Sequence, residues 1–424
     1  MPNPRKLAVK ALLKIETDSA YSNITLNSFL KETDLNKEDK AFFSALVYGV
    51  LDRKITLDYV LSQFMKTPLK KTAPFTLNVL RLGLYQIMYM DKIPESAAVN
   101  ESVKIIKSSK ESRNSGFVNA VLRAAIRSEI KLPQGDTAKD LSIRYSCPEW
   151  ITKSFISDYG NENAVKLLAG SLEAPSVVLR VNTAKIKTEE LITEFEKLGV
   201  NCKKGEIPDS VIIEKGIDIS SNPLYEKGLF YVQDTASQKA VSVLSPKKDS
   251  RVLDLCAAPG GKSFTMACLM ENKGEIVSCD LYESRVGLIE KSAQRLGLDI
   301  IKATVNDATV YNENLGKFDF VLCDVPCSGL GVIRRKPELK YKTDSDFKEL
   351  EDIQYRIICN AVRYLKKGGK LLYSTCTLRR AENENLVIRF QKEYNEFRLV
   401  YEHTFMPHID KTDGFYCALF EKSE

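Results

Sequence analysis

Two cysteines offer the most direct chemistry in this sequence: Cys327, within Asp324-Val325-Pro326-Cys327-Ser328-Gly329, and Cys376, within Ser374-Thr375-Cys376-Thr377. Both follow apolar runs that read as strands. A thiolate can add to carbon-6 of a pyrimidine, which turns the ring into an enamine able to take a methyl group at carbon-5, otherwise a poor nucleophile. A free cysteine with a pKa of about 8.5 is only a few per cent ionised at neutral pH, so a nearby cation or helix N-terminus must help. Arg379 and Arg380, three and four residues beyond Cys376, and a helix expected from about Ala381 meet that need. After methyl transfer a base must remove the carbon-5 proton before the first thiol leaves, and Cys327 is the candidate. Enzymes that methylate exocyclic amines carry an aromatic ring after proline at this place, so Pro326-Cys327 argues for carbon rather than nitrogen. Asp324 would hydrogen-bond ring nitrogen-3 and stabilise the charged adduct.

Upstream, the run Arg251-Leu255 leads into Cys256-Ala257-Ala258-Pro259-Gly260-Gly261-Lys262. Glycines there permit a tight turn and close approach of backbone to a ligand, with a helix following. Asp280, twenty residues beyond Gly260, ends the next strand, where a carboxylate can accept hydrogen bonds from ribose hydroxyls. Asp307 and Asp324 end the third and fourth strands, at the edge where open α/β sheets bind ligands. A nucleotide phosphate loop is the rival reading, since Gly261-Lys262-Ser263 matches the end of its motif, but its first glycine would fall at Cys256. An adenosyl methyl donor fits better.

These groups need a scaffold. Beyond Gln233 short apolar runs alternate with helical stretches, the signature of a doubly wound α/β sheet, with strands at 251–255, 275–279, 300–305, 318–323 and 370–374 and later ones near 397–401 and 415–420. Helices are expected at 284–296 and 346–365. From Lys6 to about Ser128 apolar residues recur at three- and four-residue spacing, as in Phe42, Leu46, Val47 and Val50 or Leu77, Leu80, Leu84 and Ile87, which predicts a helical bundle. Residues 129–140 lose the period and read as a linker. A smaller mixed region follows, with strands at 177–181 and 210–213 around a helix at 187–198. The expected domains are therefore 1–130, 141–234 and 235–424.

At 424 residues, 44% apolar and 28% charged, the chain is long enough for several cores. No run of 18 uncharged apolar residues occurs and no apolar signal core follows Met1, so a cytoplasmic protein without a membrane anchor is expected. The net charge of +6 is uneven: residues 1–140 carry 22 Lys/Arg against 15 Asp/Glu, which suits a basic domain meeting a polyanion such as nucleic acid. Ten cysteines without an export signal should be reduced, mostly as small buried hydrophobes. The nearest pair in sequence, Cys323 and Cys327, lacks partners at zinc spacing, and the two histidines, His403 and His408, lie near the C-terminus. No metal site is expected, and carboxylates and thiols must handle the protons.

At these residues the chain resembles the RNA 5-methylcytosine methyltransferase family, over nearly its whole length. The likeness rests on Tyr231-Val232-Gln233-Asp234-Thr235-Ala236-Ser237-Gln238, Cys256 to Lys262, Asp324 to Arg335, Tyr373 to Thr377 and Asp413-Gly414-Phe415. The bundle resembles the antitermination factor NusB through Asp39 to Phe43, Val47 to Val50, Glu101 to Val103 and Gly116 to Arg123. The resemblance implies a multidomain protein: an all-α NusB-like bundle, a small α+β subdomain of RNA-recognition type around Arg180-Val181-Asn182, and a Rossmann-like methyltransferase domain. It implies S-adenosyl-L-methionine as donor, small-subunit 16S ribosomal RNA as substrate, base flipping into the pocket, and a monomer. It further implies Cys376 as nucleophile, Cys327 as the thiol aiding release, and Cys256, Ala257, Ala258, Pro259, Gly260, Gly261, Lys262, Asp280, Arg285, Asp307 and Asp324 around the cofactor. One departure is visible: the family often has proline where this chain has Arg380, although Glu382-Asn383-Glu384 still follow. Two other readings stay open from the residues alone, an RNA-binding assembly or antitermination factor with a vestigial pocket, and the same chemistry on transfer RNA.

Overall fold

Helical periodicity becomes a helical unit in the computed structural model, which describes residues 2–18, 22–214, 218–219 and 221–423. The chain ends Met1 and Glu424, named in the domain limits, lie outside the described residues. The helices are α1 (Pro4–Asp18), α2 (Ser22–Glu32), α3 (Lys37–Phe64), α4 (Pro74–Tyr89), α5 (Glu95–Lys107), α6 (Ser115–Arg127), α7 (Ala138–Arg144) and α8 (Glu149–Gly170). Asn36 starts α3 by accepting a hydrogen bond from Asp39 N at 2.8 Å, satisfying one orphan amide of the first turn. The central helix is α4, buried on nearly every side, so even Asn78, Arg81 and Gln86 lie inside. Arg81 is tolerated there because its fork meets Asp58 at 2.6 and 2.8 Å and Glu16 at 2.7 Å. In α3 the core position is Phe43; Phe42, read from the spacing as a core residue, is half-buried beside it.

By contacts the chain groups into two compact units, Met1–Glu173 with Ile333–Lys342, and Ala174–Val332 with Thr343–Glu424. In the second unit an antiparallel sheet of order β2-β3-β1-β4 comprises β1 (Val177–Val181), β2 (Cys202–Lys204), β3 (Ser210–Ile213) and β4 (Phe230–Val232). Helices α9 (Thr188–Lys197) and α10 (Pro223–Glu226) accompany it, and its core holds Leu179, Leu191, Phe195, Val211 and Phe230. Asn182 ties this sheet to the larger one by donating to Gly228 O at 2.8 Å and Leu296 O at 2.7 Å.

The large sheet has β5 (Arg251–Asp254), β6 (Glu275–Asp280), β7 (Ile301–Val305), β8 (Phe318–Asp324), β9 (Leu365–Thr375), β10 (Phe397–Phe405) and β11 (Phe415–Lys422), in the order β10-β11-β9-β8-β5-β6-β7. Strands β7 to β9 through β5 pair in parallel, and β11 and β10 close that edge antiparallel. Helices α11 (Thr235–Leu244), α12 (Gly261–Leu269), α13 (Glu283–Leu296), α14 (Leu350–Ala361) and α15 (Glu384–Glu393) connect or flank the strands, with α16 (Pro407–Asp410) a short turn. Apart from the edge strand β7, the parallel strands are largely buried on both faces, which explains unbroken apolar runs such as Phe320-Val321-Leu322-Cys323. Strand order reverses between β5 and β8, and a crevice opens there at the carboxyl ends. Among the described residues no helix is long and apolar enough to cross a membrane.

Candidate active site

Registers in the sheet decide which loops meet. Asp324 pairs with Ser374 across β8 and β9, so Cys327 and Cys376 emerge three and two residues later from adjacent strand ends. Their sulfurs lie 3.1 Å apart, both half-buried. The hydrogen bond to Cys376, followed by burial, pushes the Cys327 thiol well above its ordinary pKa, so Cys327 holds its proton and presents it to the Cys376 sulfur.

The turn after β5 faces them. Gly260 has φ +108° and caps α12, and a β-carbon there would lie 2.2 Å from the Phe264 ring, so this turn requires glycine. It sets Lys262 in the first turn of α12, where Nζ donates to Asp324 Oδ2 at 2.7 Å. Ser374 Oγ donates to the other oxygen of Asp324 at 2.8 Å. Turn, β8 and β9 are thus tied through one carboxylate. Burial works against the charge of Lys262, but Asp324 wins and raises its pKa, with Cys376 and Asp254 adding to the effect. Lys262 is therefore a cation whose field reaches Cys376.

A hollow of about 200 Å³ lies in this crevice, lined by Cys256, Ala257, Ala258, Pro259, Gly261, Lys262 and Asp324 together with Gln233 and Asp254. Burial pushes Asp254 up to about 7, against the opposing hydrogen bond from Ser263 Oγ at 2.7 Å. Its other oxygen and Gln233 Nε2 are buried and find no hydrogen-bond partner among the described residues, one an acceptor and one a donor. Burial also raises the Cys256 thiol well above its ordinary value, which leaves it protonated and unfit as a nucleophile. Asp280 is buried at the end of β6, 3.2 Å from Arg285, whose guanidinium also donates to Ala258 O at 3.0 Å. Asp307 is exposed, bonded to Thr309 N and Oγ1 at 2.8 and 2.7 Å, and borders a second hollow of about 660 Å³ with Leu281, Val305 and Tyr311.

Around the thiols, the structure departs from the sequence expectations at Arg379 and at the helix beyond it. Arg379, read as a cation for Cys376, is taken up by Asp344 at 3.3 Å and by Glu351 and Glu382 at 3.6 Å. The helix expected from Ala381 is a 3₁₀ turn, Arg380–Glu382, after which Asn383 leaves helical geometry and α15 begins at Glu384. Gln233 and Asp254 were missed as pocket residues; the signal for Asp254 was its place at the end of the strand preceding the glycine turn.

Residues 241–421 match the family described as 16S rRNA methyltransferase RsmB/F, residues 2–127 the NusB family, and residues 147–220 the ferredoxin-like domain of RsmF/B-like methyltransferases. The chain is 39% identical to a probable ribosomal RNA small subunit methyltransferase B of Bacillus subtilis, over 99% of this chain and 98% of that protein. It is 30% identical to ribosomal RNA small subunit methyltransferase B of Proteus mirabilis, over 99% of each. The crystal structure of PH0851 superposes with a TM-score of 0.85 at 26% identity, covering 100% of this chain and 99% of that one.

Proposed function

Because this chain belongs to the ribosomal RNA small subunit methyltransferase B family, we propose that it transfers a methyl group from S-adenosyl-L-methionine to carbon-5 of a cytosine in 16S ribosomal RNA, through a transient bond from Cys376 to carbon-6. The observation that carries this reading is the 3.1 Å approach of two sulfurs beside a polar crevice. S-adenosyl-L-methionine, when bound, supplies an electrophilic methyl group. The residues fit such a guest: the unpartnered Asp254 oxygen and Gln233 amide suit a ligand bearing both positive charge and acceptors, and Asp280 suits ribose hydroxyls. We assign RNA binding to residues 1–130, the small α+β subdomain to 141–234 and catalysis to 235–424.

The chain's own groups then act in order. Lys262 favours the Cys376 thiolate, which adds to carbon-6 while the ring electron pair moves to carbon-5. As charge builds on the ring, nitrogen-3 takes a proton from water and Asp324 accepts a hydrogen bond from that N–H, with Lys262 and Ser374 holding the carboxylate in place. Once the Cys376 sulfur is bound to carbon it no longer carries charge, so the largest cause that held the proton on Cys327, the hydrogen bond to that sulfur, weakens together with its charge at the stage when a base is needed, while burial and Glu382 still act. Cys327, after giving its own proton to water, takes the carbon-5 proton as thiolate, the electron pair of that C–H bond re-forms the ring double bond, the Cys376 thiolate leaves and nitrogen-3 returns its proton to water. Deleting a positioned base slows its step by roughly 10²–10⁴-fold.

The test uses labelled S-adenosyl-L-methionine and 16S ribosomal RNA. Cys376→Ser is expected to abolish transfer, and Cys327→Ala to accumulate a denaturation-resistant protein–RNA adduct. Equal partial losses in both variants with no adduct would overturn the scheme, and label on the exocyclic amine would exclude carbon-5.

A further inference from the structure

Neither thiol sits on regular structure, since residues 325–329 and 376–379 form loops, yet a sulfur spacing of 3.1 Å demands that both loops be fixed. The hydrogen bonds that fix them converge on two consecutive residues. Asn383 accepts from Thr375 Oγ1 at 2.6 Å and donates to Thr377 O at 3.0 Å, gripping the chain on either side of Cys376. Glu382 Oε2 accepts from Ser328 N at 2.9 Å and from Gln354 Nε2 at 2.8 Å, and the same Gln354 amide donates to Pro326 O at 2.9 Å. Cys327 is thereby gripped on either side as well. Ser328 Oγ and Thr377 Oγ1, 2.7 Å apart, join the two grips.

We propose that Glu382 and Asn383 are the positioning residues of the two thiols, Glu382 for Cys327 and Asn383 for Cys376, so that one dipeptide sets the spacing between the sulfurs. Both are 0% exposed, which keeps them from touching a nucleotide and makes their action indirect. Glu382 is itself anchored, its carbonyl accepting from Tyr373 Oη at 2.7 Å and its carboxylate facing Arg379. A carboxylate suits this place because its charge-assisted bonds are stronger than those of an amide. The negative charge also helps to keep the proton on Cys327.

The proposal rests on the assignment of the thiols above, and its test has an arm that needs no RNA. In the full-length protein, alkylation of each cysteine by iodoacetamide is followed by mass spectrometry. Glu382→Ala is expected to speed labelling of Cys327 severalfold with Cys376 unchanged, Asn383→Ala to do the reverse, and Glu382→Gln, which keeps an acceptor for Ser328 and Gln354, to restore most of the protection. With RNA, Glu382→Ala should accumulate adduct and Asn383→Ala should slow its formation, each lowering kcat while leaving the KM for S-adenosyl-L-methionine near wild type. If Glu382→Ala does not fold, Gln354→Met, which removes only the bridging amide, should selectively expose Cys327. Equal acceleration at both cysteines in every variant, or none, would overturn the proposal. A wild-type protein that fails to methylate while labelling shifts as stated would sink the function and leave the clamp standing.

Discussion

At the scale of single residues, the site depends on groups whose ionisation differs from that in water, and Asp254 gives that difference a sign. Unfolded, it titrates near about 4; folded, burial holds it at about 7. Between these values the native chain binds a proton that the unfolded chain lacks. Asp254 therefore contributes stability that is fully present below pH about 4 and is lost as pH rises through about 7. At about 1.4 kcal/mol per pKa unit, the loss is at most about 4 kcal/mol. Asp254→Asn, which keeps an acceptor for Ser263, should abolish that loss, so thermal unfolding of the ligand-free protein should show the variant gaining on wild type between about pH 4 and pH 7. Parallel melting curves across that range would show that Asp254 is ionised throughout. Residue types and spacing singled out the two thiols, Lys262 and Asp324, and the fold brings these four together. They did not show that the cation whose field reaches Cys376 is Lys262: Arg379 is nearer in sequence, but three carboxylates surround it, and that distribution belongs to the fold.

At the scale of elements, three loops from distant parts of the chain interlock around the thiols. Gly331 N donates to Cys376 O at 3.0 Å, and Gly414 N donates to Gly331 O at 2.9 Å. A β-carbon on Gly331 would lie 2.0 Å from Gly414 O and 2.9 Å from Cys376 O, and backbone cannot move aside as a flexible side chain could. Gly331→Ala should therefore cost about 1–3 kcal/mol of stability, the usual range for forced overpacking. It should also lower single-turnover methyl transfer more than affinity for S-adenosyl-L-methionine; denaturant midpoints and rapid-quench kinetics check the two parts, and an unchanged midpoint would mean that the loops yield. The strands that carry these loops were legible because a doubly covered parallel strand must be a continuous apolar run. Strand β9 was read short at its start, where Lys366, Lys367, Gly368 and Gly369 break the run. The three-residue strands β2 and β4 were missed, since neither is long enough to show a period.

At the scale of the whole molecule, chain order and structural order diverge, and here the sequence was least legible: a helical unit was expected from one continuous stretch, but Ile333–Lys342 joins it from far downstream. Nothing in composition or period announces such a long-range contact. The segment is bound by chemistry rather than by apolar area alone. Lys340 is wholly buried against Asp52, with Nζ 3.5 Å from the carboxylate and 3.4 Å from Asp52 O. Tyr341 Oη donates to Leu51 O, and Ser22 Oγ donates to Glu338 at 2.7 Å. Burial raises the Asp52 pKa, and Lys340 is the largest opposing influence. Removing that cation leaves a desolvated carboxylate without its partner, so Lys340→Met should destabilise the helical unit by about 3 kcal/mol, near the low end for a buried pair because Asp52 keeps part of its surface in water. Pairing it with Asp52→Asn removes the stranded charge, and the double variant should recover much of the loss. A double-mutant cycle by calorimetry checks this, and additive single effects would show that Lys340 and Asp52 do not act as a pair.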